Sequence, residues 1–389
     1  MAACVWLAGG PAFAQTAIEQ PPPQIAFEPW RVVGPAGKGT EMVATFPSPV
    51  ASPYPVNDTV TLRVFLPPSG PAPVVLALHY WGATDLRAER ALCLELVRRG
   101  IAGAYISLPY HLERTPEGSR SGALAIQPDP KALIDTMTQA VLDVRRAVDF
   151  LAARPEIRTD AMAIAGTSLG AIVASTVFGL EPRFGAAVFM LGGADLAHIL
   201  WHSSRVVAER EAMRRNGFTE ESVRDELASV EPLRFLPSRA NSPALVIRAR
   251  YDTVIPRHAS DELSAALPAS KTVWLDTGHY GGVFVQRRLL REAASFFDAF
   301  FSRRAYTAPE RISAPTARIG VELATEDGAN VALGLDVARP GAHSLQTTLL
   351  LTTRGLRLFL GVPLEKGVSA GFVLKPERPG VGLLWSVVL

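Results

Sequence analysis

A chain of 389 residues exceeds the usual size of one compact domain, so the sequence predicts a main domain with an appendage. Apolar residues make up 48% of the chain and charged residues 20%, which excludes a largely disordered protein. The formal net charge is only +2 and no long basic run is present, so nucleic-acid binding has little electrostatic support. The two cysteines, Cys4 and Cys93, form no C-x-x-C pair. No cysteine and histidine cluster has zinc-site spacing, and we expect neither a disulfide framework nor a metal ion.

The first residues, 1–14, form an apolar stretch that ends in Ala12-Phe13-Ala14. An A-x-A triplet after an apolar run is typical of a secretory cleavage site, which predicts a signal peptide and a periplasmic or secreted protein. The stretch has no lysine or arginine, and without a working leader the protein would be cytoplasmic. Residues 15–58 are rich in proline and lack periodicity, which predicts a linker or an extended segment over the domain surface. No later segment has the ~20 apolar residues of a membrane-spanning helix.

Strand and helix patterns alternate over residues 59–305, which predicts an α/β domain with a mostly parallel sheet and helices on both faces. Several of the strand patterns are short and wholly apolar, as in strands buried on both faces. The predicted strands are 60–66, 74–78, 103–106, 162–165, 186–191, 244–247 and 272–275, and the predicted helices are 87–99, 131–154, 169–178 and 283–301.

Two regions depart from this alternation. Residues 194–240 are helical and charged and are longer than one crossover helix requires, so we expect a cap that shapes a substrate pocket. From residue 312 to 389 the helical periodicity disappears, and Asp327-Gly328 between two β-type runs predicts a hairpin. Six short strands in this tail predict a small antiparallel β module of unknown role. These strands are 318–324, 331–337, 346–353, 356–362, 370–374 and 381–388.

The strongest local motif is Gly166-Thr167-Ser168-Leu169-Gly170, which follows an apolar strand and opens a helix. A serine between two glycines in this setting is typical of a sharp turn that lifts a nucleophilic hydroxyl above the sheet edge. The backbone N–H of Leu169 would then lie at a helix start, where it can stabilise an oxyanion. A glycine-rich strand-to-helix turn without catalysis is the alternative interpretation.

A serine nucleophile needs a base and a residue that orients the base. His279 lies in a glycine-rich loop after the last predicted strand, which predicts that its imidazole reaches Ser168. Asp252 follows the preceding strand and would hold the imidazole in the tautomer that accepts the serine proton. Asp195, just after the strand before that, remains a second candidate for the acid. Asp276 is too close to His279 in the chain to be preferred.

The turn His79-Tyr80-Trp81-Gly82 also follows an apolar strand. We expect the backbone N–H of Trp81, or alternatively that of Tyr80, to complete the oxyanion hole with Leu169. His79 is interpreted as a structural histidine rather than a second base.

Over residues 60–303 the sequence resembles the α/β-hydrolase superfamily, including its esterases and dienelactone-hydrolase-like members. The resemblance lies in the chain order Ser168, Asp252, His279, in the GTSLG motif and in the early turn that starts at His79. In this superfamily the oxyanion turn often begins His-Gly, whereas Tyr80 stands in place of the glycine here. The resemblance implies acyl transfer to water through a serine ester, without a cofactor. The expected partner is a small-molecule or ester substrate, and the sequence gives no information on oligomeric state.

Three alternatives to an ester hydrolase remain open. A peptidase or amidase would use the same three residues, and the sequence does not separate it from an esterase. A non-catalytic relative of the same fold would use the pocket to bind a ligand without cleaving it. A surface protein would make its contacts through the β module.

Overall fold

The computed structural model describes residues 16–325, 328–338, 345–364, 367–375 and 379–388. The predicted signal peptide at 1–14 and Asp327 of the predicted hairpin lie outside these residues. Within them, no helix has both the length and the apolar composition that crossing a membrane requires.

A ten-stranded mixed sheet forms the main body, with the strand order β1-β2-β3-β5-β4-β6-β7-β8-β9-β10. The first three strands pair antiparallel, as do β3 and β5, and all later pairs are parallel. The fold class predicted from the sequence is therefore correct. The strands are β1 (Arg31–Ala36), β2 (Gly39–Pro47), β3 (Thr59–Leu66), β4 (Ala72–Leu78), β5 (Ala102–Ile106), β6 (Ile157–Thr167), β7 (Phe184–Met190), β8 (Ala244–Ala249), β9 (Lys271–Leu275) and β10 (Arg311–Ile312).

Helices cover both faces of this sheet, because the central strands are buried on both sides and each face needs an apolar layer. One face packs against α2 and α3, and the other packs against α1 and α9. The helices are α1 (Arg87–Val97), α2 (Pro130–Ala152), α3 (Leu169–Leu180), α4 (Leu196–His202), α5 (Val207–Arg215), α6 (Glu220–Leu227), α7 (Pro232–Phe235), α8 (Arg257–Ala265) and α9 (Gln286–Phe301).

Strands β1 and β2 lie in the proline-rich segment for which the sequence predicted only an extended chain. Pro35 is tolerated because β1 is the edge strand of the sheet, and Pro47 is the last residue of β2. Proline in these positions removes no hydrogen bond that an interior strand would need. The prolines therefore prevented the prediction of this β-hairpin, which extends the sheet.

The long insertion between β7 and β8 is helical, as expected, and contains α4, α5, α6 and α7. A short 3-10 helix, Leu236–Arg239, leads from it into β8. Met213, Val223 and Leu227 of the insertion are buried in the same apolar cluster as α2 and α3. The insertion thus packs on the α2–α3 face of the sheet, close to its carboxyl edge.

The tail forms a separate, closed antiparallel sheet of six strands, hereafter the C-terminal module. Its strands pair in chain order, and β16 closes the sheet by pairing with β11. All six predicted strands are present. They are β11 (Thr316–Ala324), β12 (Gly328–Ala338), β13 (Gln346–Thr352), β14 (Gly355–Pro363), β15 (Val368–Leu374) and β16 (Gly380–Val388).

A short connection joins the C-terminal module to the main sheet. Strand β10 pairs with β9, and residues 313–315 then lead directly into β11. The Thr277 hydroxyl donates a hydrogen bond to the Pro315 carbonyl at 3.0 Å, and the Thr316 hydroxyl donates one to the Asp276 carbonyl at 3.0 Å. The module is thus attached to the loop that carries His279.

Candidate active site

Ser168 occupies a strained turn between β6 and α3. Its φ of 54° and ψ of −116° are rarely adopted by a residue with a side chain. The turn is tight because a Cβ on Gly166 would lie 2.2 Å from the Gly170 carbonyl oxygen, and one on Gly170 would lie 2.3 Å from the Leu78 carbonyl oxygen. Only glycine fits at these two positions, which explains the motif that the sequence displays.

Three side chains from separate loops form a continuous hydrogen-bonded series. His279 Nε2 lies 3.0 Å from Ser168 Oγ, and His279 Nδ1 lies 2.8 Å from Asp252 Oδ2. The second oxygen of Asp252 accepts the backbone N–H groups of Val254 and Ile255 at 2.9 and 2.8 Å, which fixes the carboxylate. An Nδ1–H donated to Asp252 leaves Nε2 free to accept the serine proton.

The loops that carry the acid and the base are joined to each other. The Tyr251 N–H donates a hydrogen bond to the Thr277 carbonyl at 3.0 Å. Tyr251 directly precedes Asp252, and Thr277 lies two residues before His279. Thr277 also fills the space over Gly281, where a Cβ would lie 1.7 Å from the threonine hydroxyl oxygen. The glycine-rich sequence of this loop therefore allows the close packing that holds the imidazole over the sheet edge.

The two backbone amides predicted for the oxyanion hole belong to residues near Ser168: Leu169 follows it in the chain, and Trp81 lines the same cavity. Leu169 begins α3, and Trp81 lies in the turn after β4. Within the described residues, neither N–H donates to a backbone or side-chain acceptor. The Trp81 indole N–H donates to the Gly122 carbonyl at 2.7 Å, which holds the turn against the loop between β5 and α2.

Two buried neutral histidines brace this turn. His79 Nε2 accepts the Leu108 N–H at 2.9 Å, and its Nδ1 donates to the Tyr80 carbonyl at 2.8 Å. His111 Nε2 accepts the Gly82 N–H at 3.0 Å. Burial lowers the pKa of His79 to about 3 and that of His111 to about 4. Both rings therefore stay uncharged at neutral pH and act as fixed acceptors rather than as bases.

The two other carboxylates weighed from the sequence lie elsewhere. Asp195 caps α4 by accepting the His198 N–H at 3.1 Å, and it pairs with Arg224. Asp276 pairs with Arg250, with Nε 3.1 Å from Oδ1. Neither carboxylate is hydrogen-bonded to His279, so the geometry favours Asp252 as its partner.

A cavity of about 470 Å³ opens at Ser168 and His279. Its walls are mostly apolar, and Arg205 of the insertion lies over the Trp81 ring, 4.9 Å from the ring centroid. A largely apolar pocket with few polar groups is typical of small-molecule sites. Its other lining residues include Tyr80, Met190, Leu191, Val254, Tyr280, Val283, Leu289 and Leu290.

Sequence reasoning did not single out Arg205 or Glu89. Arg205 lies in an insertion whose residues form no motif, and only the three-dimensional fold brings it to the pocket. Glu89 lies on α1 and is 4% exposed, and burial raises the pKa of its carboxyl to about 7. For Glu89, the sequence signal was an acidic residue at a position of the predicted helix 87–99 that faces the sheet.

The insertion and α8 bring together residues that can ligate a metal, although the sequence predicted no metal site. One group is Asp195, His198 and His258, and the other is His198, His202 and Glu220. Arg224 pairs with both carboxylates, so a guanidinium already balances their charge. Neither group lies among the residues that line the cavity at Ser168.

The sheet order, the helices on both faces and the serine at the strand-to-helix turn define the α/β-hydrolase fold. The profile of the prolyl oligopeptidase family matches residues 135–303. The chain thus has the α/β-hydrolase fold, and residues 135–303 resemble a family of hydrolases.

Comparison with curated protein sequences gave no match. Among solved structures, the acetyl xylan esterase from Paenibacillus sp. R4 is similar, with 20% identity and a TM-score of 0.58 over 73% of this chain and 91% of the esterase. The Pyrococcus horikoshii acylaminoacyl peptidase is 16% identical with a TM-score of 0.51, over 70% of this chain and 43% of the peptidase. At these identities the likeness concerns the fold.

Proposed function

We propose that the protein is a serine hydrolase that cleaves carboxylic esters through an acyl-enzyme intermediate. The observation that carries the proposal is the hydrogen-bonded series from Ser168 through His279 to Asp252. The residues lie within hydrogen-bonding distance of one another in the order that nucleophile, base and orienting acid require. The adjacent cavity provides room for an acyl or alcohol group.

In the first half-reaction, Ser168 Oγ attacks the carbonyl carbon while its proton moves to His279 Nε2. The backbone N–H groups of Leu169 and Trp81 stabilise the negative charge that develops on the carbonyl oxygen. Asp252 stabilises the imidazolium, which then protonates the leaving alcohol as the carbon–oxygen bond breaks. Water repeats the sequence on the acyl-enzyme, releases the acid and returns the proton to Ser168.

A fluorophosphonate probe tests the nucleophile. We expect the probe to label the wild-type protein at Ser168 and not to label Ser168→Ala. Ser119→Ala, which changes an exposed serine of a loop, is the matched control and should be labelled like the wild type. A folded wild-type protein without labelling would favour the non-catalytic, binding interpretation.

Peptide or amide cleavage is the second candidate, because the matching family profile is that of prolyl oligopeptidases and one similar structure is an acylaminoacyl peptidase. p-Nitrophenyl esters of increasing chain length should be compared with peptide amides under the same conditions. We expect a higher kcat/KM for the esters, with both activities lost in Ser168→Ala. A higher value for an amide would make the protein a peptidase with the same three residues.

We also propose that the protein is exported, because Ala12-Phe13-Ala14 follows an apolar stretch. The mature protein should then begin at Gln15, which N-terminal sequencing of the exported protein would detect. Retention in the cytoplasm with residues 1–14 still attached would contradict this proposal.

A further inference from the structure

The outer surface of the C-terminal module is apolar on every strand. In each of the six strands the side chains alternate between the interior and the exterior of the closed sheet, and the described exterior side chains are aliphatic or aromatic apart from Thr347 of β13. Six exterior residues, one from each strand, are 44% to 60% exposed to solvent. These residues are Ile319, Val331, Leu351, Leu356, Phe372 and Trp385.

The interior of the module is mixed in its described residues: six buried apolar residues form a small cluster, and most of the other interior side chains are polar or charged, which is unusual for a water-soluble domain. All four charged residues of the strands are buried, and they form two ion pairs. Arg318 Nε lies 2.7 Å from Asp336 Oδ2, and Arg357 Nη1 lies 2.7 Å from Glu322 Oε2. Asn330, Gln346 and Thr348 add hydrogen bonds to the two carboxylates. Charges buried in this way require compensation, and each one here has it.

We propose that the C-terminal module is seated in the hydrocarbon region of a lipid bilayer. A sheet with polar groups inside and apolar side chains outside places each surface in its preferred environment only when the surroundings are apolar. Closure of the sheet through the β11–β16 pair leaves no strand edge with unpaired backbone groups, which hydrocarbon does not tolerate.

The circumference of the apolar surface favours lipid over a second copy of the chain. A two-fold contact with a second copy would cover one side of the module and leave the remaining strands exposed to water. Here every strand presents apolar residues, so the partner has to surround the module. A lipid phase does so, whereas a single protein surface does not.

The strand lengths are close to those of strands in bilayers. Four of the six strands have 9 to 11 residues, as ~9–11 residues are typical there, and β13 and β15 are shorter, with 7. The exterior residues of β14 extend from Leu356 to Val362, about 20 Å along the strand.

Flotation with phosphatidylcholine vesicles tests the proposal on the full chain. We expect the wild-type protein to float with the vesicles and Val331→Arg to lose at least tenfold in the bound fraction, because an exterior charge would enter hydrocarbon. Val32→Arg is the matched control, since Val32 is an exposed valine on strand β1 of the main sheet (69% exposed, against 60% for Val331). This variant should float like the wild type.

Fluorescence of Trp385 provides a test that does not depend on the folding of a charged variant. Lipids with a spin label on the acyl chain should quench wild-type fluorescence, and the conservative variant Trp385→Phe should lose that quenching. Absence of both flotation and quenching would overturn the proposal. A defined dimer in sedimentation without lipid, abolished by Val331→Arg and accompanied by no vesicle binding, would assign the apolar surface to a second copy instead.

Discussion

Asp252 reaches His279 through one carboxylate oxygen, while the other oxygen is fixed by two backbone amides. The proposed mechanism needs this carboxylate because it selects the tautomer with Nε2 free and stabilises the imidazolium. Asp252→Asn keeps the shape but allows the imidazole to be held with the wrong tautomer. We expect kcat to fall by about 10³–10⁴-fold with little change in KM, measured by steady-state ester hydrolysis.

The control for this prediction is Asp195→Asn, because Asp195 is the other carboxylate that the sequence offered. It pairs with Arg224 in the insertion and has no hydrogen bond to His279 in the described structure. Its kcat should stay within a few-fold of the wild type. A larger loss from Asp195→Asn than from Asp252→Asn would reassign the acid.

Glu89 gives a pH dependence of stability that is independent of catalysis. Burial raises the pKa of its carboxyl from 4.5 to about 7, and Oε2 has no hydrogen-bond partner among the described residues. The folded protein therefore holds an extra proton between pH 4.5 and 7, so its free energy of unfolding decreases as the pH rises through this range. Glu89→Gln should raise that free energy by up to about 3 kcal/mol at pH 8 and by little at pH 4.

Urea denaturation of both proteins at several pH values measures this effect. Glu95→Gln on the same helix is the matched control. Burial alone would raise the pKa of the Glu95 carboxyl, but the hydrogen bonds and charges of Arg99 and Arg98 outweigh it and lower that pKa. This variant should not gain stability as the pH rises. Equal effects of the two substitutions at pH 8 would show that the charge of Glu89 is not the cause.

At the scale of elements, the turn after β4 is held by histidines that do not act as bases. His111→Ala would leave the Gly82 N–H without its acceptor and would loosen the turn that carries the Trp81 amide. We expect the free energy of unfolding to fall by about 1–3 kcal/mol and kcat to fall more than KM rises. His202→Ala, an exposed histidine of the insertion, should change neither quantity much. Unchanged kcat in His111→Ala would separate this turn from catalysis.

The elements of the main sheet were predictable where one pattern dominated the local sequence. The apolar run Val74–Leu78 and the motif around Ser168 each have a single structural solution, because both faces of the strand are buried and two glycines are required. The order of Ser168, Asp252 and His279 also followed from the strands that precede them. Strands β1 and β2 were missed because Pro35 and Pro47 mask the alternation of an edge hairpin.

The polarity of the C-terminal module could not be deduced from periodicity alone. Alternation of apolar and polar residues predicts a strand but does not state which side faces outward, and the usual expectation places apolar residues inside. The two ion pairs join residues that are distant in the chain. Arg318 and Asp336 are 18 residues apart, and Glu322 and Arg357 are 35 residues apart. Only the closed topology reveals that these charges face one another.

At the scale of the whole molecule, two separate cores predict two unfolding transitions. The main sheet has large apolar clusters on both faces, whereas the described residues of the module form one cluster of six buried apolar side chains and the ion pairs described above. Arg357→Met would leave Glu322 buried without its ion-pair partner, at a cost of about 3–5 kcal/mol. Calorimetry in detergent micelles should show two transitions, and this variant should lower only the one that belongs to the module.

Leu245→Ala in the middle of β8 is the complementary variant, because this leucine is fully buried in the main sheet. It should lower only the other transition, by about 2–5 kcal/mol in unfolding free energy. A single transition that responds equally to both substitutions would mean that the two cores unfold as one unit.

Residues 313–315 limit the distance that can separate the candidate active site from the C-terminal module. Three residues can bridge little more than about 10 Å even when fully stretched. The hydrogen bonds donated by the Thr277 and Thr316 hydroxyls hold the two parts still closer together. With the module held in a lipid film, the serine hydroxyl would keep a nearly constant height above that film. Esters presented at that height, on molecules anchored in the film or resting on it, would be met at a far higher local concentration than esters dissolved in the bulk.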